Sequence, residues 1–232
     1  MTQKYLITLF LVLTGKLLVA QQEPLRLGVA GLSHGHVGWI LDRKDDQDIK
    51  MVGIAEPDKE LAERLSAQYG FSMDMVYETL EEMIAATSPE AVVAFGNIHE
   101  HLAVVEACAP KGIHVMVEKP LAISLEHAQK MEALARKYKI HLLTNYETSW
   151  YPTNEKAFDL VQEGAIGELR KVIVRDGHKG FKGVHINKEF FDWLTDPALS
   201  GGGAIMDFGC YGANLMTWLQ HGKKPYSVTA VT

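Results

Sequence analysis

Between Leu25 and Thr144 the chain exchanges short apolar runs with helix-spaced segments, and this rhythm constrains the fold more than any other feature. Leu25-Arg26-Leu27-Gly28-Val29-Ala30 reads as a strand, residues 50–55 as a second and Met75-Val76-Tyr77 as a short third. Ala91-Val92-Val93-Ala94-Phe95, Val115-Met116-Val117 and residues 140–144 continue the series. Helical segments fall between them. One starts at Val37, one covers 59–69 with Leu61, Leu65 and Tyr69 on one face and Gly70 as its stop, and a short one carries Leu80, Met83 and Ile84. Two more cover 100–109 and 124–138. Short, wholly apolar runs suit strands buried on both faces, and strands alternating with helices of this length give an α/β, doubly wound parallel sheet.

One strand matters most for chemistry. The run Val115-Met116-Val117 stops on Glu118-Lys119-Pro120, because proline has no N–H to give a ladder. A carboxylate and an amine are thereby delivered at the carboxyl end of a sheet strand, where open α/β sheets bind ligands. Read alone, these two residues are equally a solvated pair closing a strand.

The first strand runs into Gly31-Leu32-Ser33-His34-Gly35-His36, a departure from the Gly-x-Gly-x-x-Gly dinucleotide turn with Ser33 at its second glycine and His36 at its third. Glu56 ends the second strand 25 residues after Gly31, where an acidic group accepts hydrogen bonds from an adenosine ribose. A carboxylate there repels a 2′-phosphate, which favours NAD over NADP. It is also at home as an acidic helix N-terminus beside Pro57. His34 and His36 have no carboxylate or third histidine nearby in sequence to complete a ligand set, so no metal is expected. Further on, Gly201-Gly202-Gly203 permits close backbone approach, and Asp207 and Tyr211 are four apart, as on one face of a helix.

The chain's 23 basic and 29 acidic residues include no basic block, which argues against nucleic acid or an anionic membrane as partner. Cys108 and Cys210 match no metal spacing and read as two small thiols. Residues 1–20 are set apart: Lys4, an apolar run to Leu13, and Leu18-Val19-Ala20 before Gln21-Gln22 describe a secretory signal peptide of the kind that exports an unfolded chain. The run is short for a span and Lys16 interrupts it, so no integral membrane segment is expected after processing and the location expected is periplasmic.

After about Tyr146 the rhythm changes. A helix at 154–163, strands at 168–176 and 226–231, and a helix from the triple glycine through Gln220 read as the opening of an α+β domain. Two strands leave a sheet face and an edge uncovered, so the chain is expected to be cut short or to be covered by a partner. The expected division is 1–20 signal peptide, 24–146 nucleotide-binding domain, and 147–232 incomplete substrate or oligomerisation domain.

Three features together resemble the glucose–fructose oxidoreductase, inositol dehydrogenase and rhizopine-catabolism family of NAD(P)-dependent oxidoreductases. They are Glu118-Lys119-Pro120, His101 seventeen residues before Glu118, and the triple glycine with Asp207 and Tyr211. Tyrosine at 211, where the family most often has histidine, resembles the branch with glucose–fructose oxidoreductase and dihydrodiol dehydrogenase. Gly96-Asn97 replaces the usual Thr-Pro. The resemblance implies a Rossmann domain followed by a larger open sheet, and a homo-oligomer when full length. It implies that Gly31, Ser33, His36, Glu56, Asn97, His101 and Glu118 hold NAD.

It further implies that Lys119, Tyr211 and Asp207 act on a sugar or polyol hydroxyl, with Asp207 orienting the substrate or Lys119. His178 is the substrate contact expected from the 176–180 loop. Trp150, Tyr151 and Trp193 suit either core packing or stacking on a sugar. An ammonium about 4 Å from a phenol, at an effective dielectric near 20, favours phenolate by up to about 4 kcal/mol. That is about 3 units, enough to bring Tyr211 towards neutrality if burial did not push back. Two other readings stand beside the oxidoreductase: an exported glycosidase that keeps its NAD and works by transient oxidation, and a catalytically inert cofactor-binding protein.

Overall fold

The computed structural model describes residues 23–44, 47–177, 179–180 and 186–231. The expected signal peptide and His178 lie outside the described residues.

Six strands form one parallel sheet: β1 (Leu25–Ala30), β2 (Ile49–Ala55), β3 (Val76–Tyr77), β4 (Ala91–Ala94), β5 (His114–Glu118) and β6 (Leu142–Asn145). Their order is β3-β2-β1-β4-β5-β6. The direction of winding therefore reverses between β1 and β4, and a crevice opens at the carboxyl ends of these two strands. Helices α1 (Gly38–Leu41), α2 (Lys59–Tyr69), α3 (Leu80–Thr87), α4 (His101–Cys108) and α5 (Leu125–Tyr138) fill the crossovers.

Local chemistry sets their limits. Asp58 accepts from the Leu61 N–H at the start of α2, and Gly70 closes it in the left-handed region at φ 83°. Thr79 and Glu82 form a capping box on α3, and Ser124 caps α5. Leu27, Val29, Ile54 and Phe95 pack with Leu61 and Leu65 of α2 in one core cluster. Ala30, Val92, Val115 and Val117 pack with Met83, Val105 and Met131 in another. Alternate residues of the same strands feed the two clusters, which is why the runs are apolar at nearly every position.

Beyond β6 the described residues hold helices: α6 (Pro152–Gln162), α7 (Lys188–Leu194), α8 (Pro197–Ser200), α9 (Gly203–Asp207) and α10 (Gly209–Leu219). The strands expected at 168–176 and 226–231 are not formed among the described residues. A strand exists through its ladder, and neither segment pairs with another; Ile173, Val174, Val228 and Val231 stay exposed. The single helix expected after the triple glycine is two, broken at Phe208, and α7 and α8 were not anticipated. Trp193 and Leu194 of α7 pack on Ile98 beside the sheet's carboxyl edge. Gly201, at φ 81°, comes so close to that edge that a Cβ there would sit 3.1 Å from the Ile123 Cα.

Candidate active site

At the end of β1 the chain turns through Gly31 at φ 79°, where a Cβ would stand 2.6 Å from the Gly96 nitrogen. Only glycine permits both that backbone and that approach. The Leu32 N–H then donates to Glu56 Oε2 at 2.7 Å, and the Asp58 N–H donates to Oε1 at 2.9 Å. Glu56 thus ties the first turn to the end of β2. Burial raises its carboxyl above the ordinary range, partly offset by these two bonds.

Five of the residues expected to hold NAD (Gly31, Ser33, Glu56, Asn97 and His101) line one crevice of about 410 Å³. His101 is fully enclosed, and burial lowers its imidazole to about 4. Its Nδ1 lies 3.2 Å from the Leu121 carbonyl. A carbonyl only accepts, so Nδ1 carries the proton and Nε2 keeps its lone pair. That Nε2 is buried and has no partner among the described residues. A buried acceptor left unmatched invites a donor, and a ribose hydroxyl supplies one. The glycine cradle, the orphaned Nε2 and the carboxylate at the end of β2 fit a dinucleotide.

The other two expected cofactor residues lie elsewhere. His36 lines a second cavity, of about 570 Å³, with Lys119, Glu147, Asp207 and Tyr211. Glu118, enclosed at the end of β5, sits behind His36: its Oε1 accepts from Asn145 Nδ2 at 2.6 Å and lies 3.1 Å from His36 Nδ1. Its Oε2 accepts from the Lys119 N–H at 3.2 Å. Ser33 lines the crevice and the next residue, His34, lines the second cavity. The Ser33 Oγ accepts from Trp193 Nε1 of α7 at 3.0 Å. Of the three aromatics, Trp193 is the buried one; Trp150 and Tyr151 are exposed.

The expected catalytic trio, Lys119, Asp207 and Tyr211, is brought together at one cavity. Lys119 Nζ forms a buried ion pair with the Asp207 carboxylate. The same amine lies over the Tyr211 ring, 5.4 Å from its centre. Asp207 ends α9 whereas Tyr211 belongs to α10, so they converge across the break at Phe208 and not along one helix face. The expectation of a phenol near neutrality fails. Burial first, then the negative charges of Glu147 and other neighbours, push Tyr211 well above its ordinary value. Neighbouring Cys210 and Tyr146 are raised by burial to about 11 and about 12.

Folding also supplies what the sequence reading found missing beside His34 and His36. Ligand atoms of these two and of Glu118 lie within 4.8 Å of one another. His34 is a poor metal ligand all the same. Its Nδ1 accepts from the His36 N–H at 3.1 Å, which leaves the proton on the Nε2 that faces Glu118, 3.9 Å away. Burial and nearby His36 lower its pKa well below the usual imidazole value. Asn145 and Glu147 were missed by sequence reasoning, although their place at the end of the last strand of a parallel sheet and just past it marks them as lying at the same edge.

Known proteins share this fold. Residues 25–146 match the model of an oxidoreductase family with an NAD-binding Rossmann fold, and residues 154–232 match the GFO/IDH/MocA C-terminal domain. Trans-1,2-dihydrobenzene-1,2-diol dehydrogenase of Xenopus tropicalis is 31% identical over 186 residues, covering 79% of this chain and 52% of the relative. The rhizopine catabolism protein MocA of Rhizobium meliloti is 27% identical over 215 residues, 89% and 60% of the two chains. The chain spans about half the length of the curated relatives it matches. Among solved structures, an inositol dehydrogenase homolog from Azotobacter vinelandii complexed with NAD+ shares the fold at a TM-score of 0.73 and 23% identity, over 86% of this chain and 54% of that one. Aldose–aldose oxidoreductase from Caulobacter crescentus, complexed with glycerol, does so at 0.67 and 24%, over 85% and 58%. With its first half a nucleotide-binding sheet of the family's type and its second half matching the partner domain, the chain belongs to the Gfo/Idh/MocA family of oxidoreductases, and its cofactor is NAD.

Proposed function

We propose that the full-length protein oxidises a secondary hydroxyl of a sugar or other polyol, or reduces the corresponding carbonyl. The observation that carries this reading is the buried Lys119–Asp207 pair lining a cavity of about 570 Å³ whose His34 directly follows Ser33 of the nucleotide crevice. Gly31, Glu56, Asn97 and His101 would hold NAD, which when bound supplies the acceptor for a hydride from the carbinol carbon. Lys119 would sit against the reacting oxygen, where a fixed ammonium stabilises the negative charge that develops as the O–H bond breaks. Asp207 holds that amine in place. Tyr211 lines the same cavity and would hydrogen-bond the reacting hydroxyl.

A relative named for a dihydrodiol and another named for rhizopine catabolism support a hydroxyl-bearing ring as substrate. The leader-like residues 1–20 support an exported protein, and they favour a second reading in which transient oxidation loosens a glycosidic bond. A homo-oligomer, which would cover the exposed apolar side chains of residues 166–231, completes the proposal. The test is product analysis of full-length protein with NAD and a panel of polyols and glycosides. Net NADH formation that is lost in Lys119→Ala, with NAD affinity retained, is the expected result. Sugar release without net redox selects the glycosidase, and undiminished turnover by Lys119→Ala refutes the assignment.

A further inference from the structure

We infer that the rim of the Lys119 cavity carries a second saccharide subsite, built from Trp39, Trp150 and Glu147. The substrate is then a neutral glycoside, with one ring at Lys119 and the next stacked at the rim. This rests on the oxidoreductase reading and deepens it, by naming the substrate class of the same site.

Both indoles are anchored without being covered. Trp39 stacks on His36 of the cavity wall, with ring centres 4.0 Å apart and planes at 14°, yet it stays 50% exposed. Trp150 donates from Nε1 to Asn145 Oδ1 at 3.3 Å and stays 71% exposed. One carboxylate fixes both supports: Glu118 Oε1 accepts from Asn145 Nδ2 at 2.6 Å and lies 3.1 Å from His36 Nδ1. The two indoles therefore flank a single buried hub at the end of β5. An indole held in this way offers a flat apolar face to water. A pyranose ring, with C–H bonds on its face and hydroxyls at its edge, is a solute that matches it.

The polar groups beside the indoles suit the same ligand. Glu147 lies on the cavity wall, half-exposed; its Oε1 accepts from the Tyr151 hydroxyl at 2.6 Å, and its Oε2 is 3.9 Å from His36 Nε2. A carboxylate in that place accepts charge-assisted hydrogen bonds from sugar hydroxyls. Charge argues against an acidic sugar. Lys119 is the one Lys or Arg among the described residues lining the cavity, and Asp207 holds it, whereas Glu147 adds a further carboxylate. A sugar phosphate or uronate would face that carboxylate with no second cation to offset it. Size agrees, since a cavity of about 570 Å³ is of the kind that encloses a drug-sized ligand, and one hexose is smaller.

The first test reads binding alone. Full-length protein with NAD is titrated with cellobiose, maltose and lactose, and with glucose and galactose, while tryptophan emission is followed. At least one disaccharide should bind about tenfold or more tightly than its component sugars, with an emission change that Trp39→Ala and Trp150→Ala diminish. Equal affinities, or no response to any disaccharide, overturn the proposal. Tighter binding of glucose 6-phosphate than of glucose contradicts the charge argument and overturns it too. The second test is the ratio of kcat/KM for the preferred disaccharide to that for its monosaccharide. Each Ala variant should lower the ratio about tenfold, chiefly through KM, and Trp39→Phe and Trp150→Phe should recover most of it. A ratio unchanged in both Ala variants sinks the subsite. If those variants instead shift the protein's sedimentation and leave the ratio alone, the indoles are a contact between copies and the proposal falls. Disaccharide binding of the expected kind without any reduction of NAD supports the subsite and overturns the oxidoreductase reading, so the two failures are told apart.

Discussion

Replacing His101 by glutamine should flatten the chain's loss of stability in acid, and the size of the effect follows from where the ring sits. His101 is wholly enclosed beside the nucleotide crevice, and burial lowers its imidazole from 6.5 to about 4. Between those two values the unfolded chain takes up a proton that the folded chain refuses. Stability is therefore intact above about pH 6.5 and falls as the pH drops towards 4, at about 1.4 kcal/mol per pH unit and about 3 kcal/mol in all. His34, also buried and lowered, adds loss of the same sign. Urea unfolding of parent and His101→Gln at pH 7.5, 6.5, 5.5 and 4.5 isolates the His101 share, because glutamine does not titrate and still offers a donor to the Leu121 carbonyl. The two stability curves should converge by about 2.5 kcal/mol on going from pH 7.5 to 4.5. Parallel curves would show that the ring is not held neutral by burial, and the assignment of Nε2 as an unmatched acceptor awaiting a ribose hydroxyl would fall with it.

Two further outcomes rest on the same site. Gly31→Ala sets a Cβ 2.6 Å from the Gly96 nitrogen on a backbone at φ 79°, so it should abolish NAD binding, read by calorimetry, and lower the urea midpoint; a variant that binds NAD like the parent contradicts the tight turn. Asp207→Asn strands a buried ammonium and should cost about 3–5 kcal/mol, whereas the Lys119→Met/Asp207→Leu pair should cost far less. Equal midpoints for the single and double variants in chemical denaturation would show that the pair is not desolvated.

How far the sequence could be read depended on the range of the forces involved. All six strands were legible because each is a local apolar run, and α2 because Asp58, Leu61, Leu65 and Gly70 carry its cap, face and stop. The carboxyl-edge position of Glu118 and Lys119 followed from Pro120 alone. What was missed depends on contacts remote in the chain. Residues 168–176 have a strand's composition and no strand to pair with. The charge of Lys119 could be weighed against the Tyr211 phenol from sequence, whereas the burial that raises it depends on packing remote in the chain. His34 and His36 lacked a carboxylate in sequence, and the fold brought one 82 residues further on. Trp193 carries no local sign that its Nε1 will reach back 160 residues to Ser33.

β5 is clasped by β4 on one side and β6 on the other, so Glu118 and Lys119 issue from a strand that cannot shift without disturbing both neighbours. Their counterparts Asp207 and Tyr211 instead ride on short helices that follow three consecutive left-handed glycines. Amine and buried carboxylate thus belong to the sheet, and the groups that shape the space around a substrate belong to helices held against it by the Lys119–Asp207 and Arg64–Glu189 ion pairs and by the packing of Trp193 and Leu194 on Ile98. Such a split lets a lineage remodel the second half for new ring sizes and hydroxyl patterns while the reacting centre stays put.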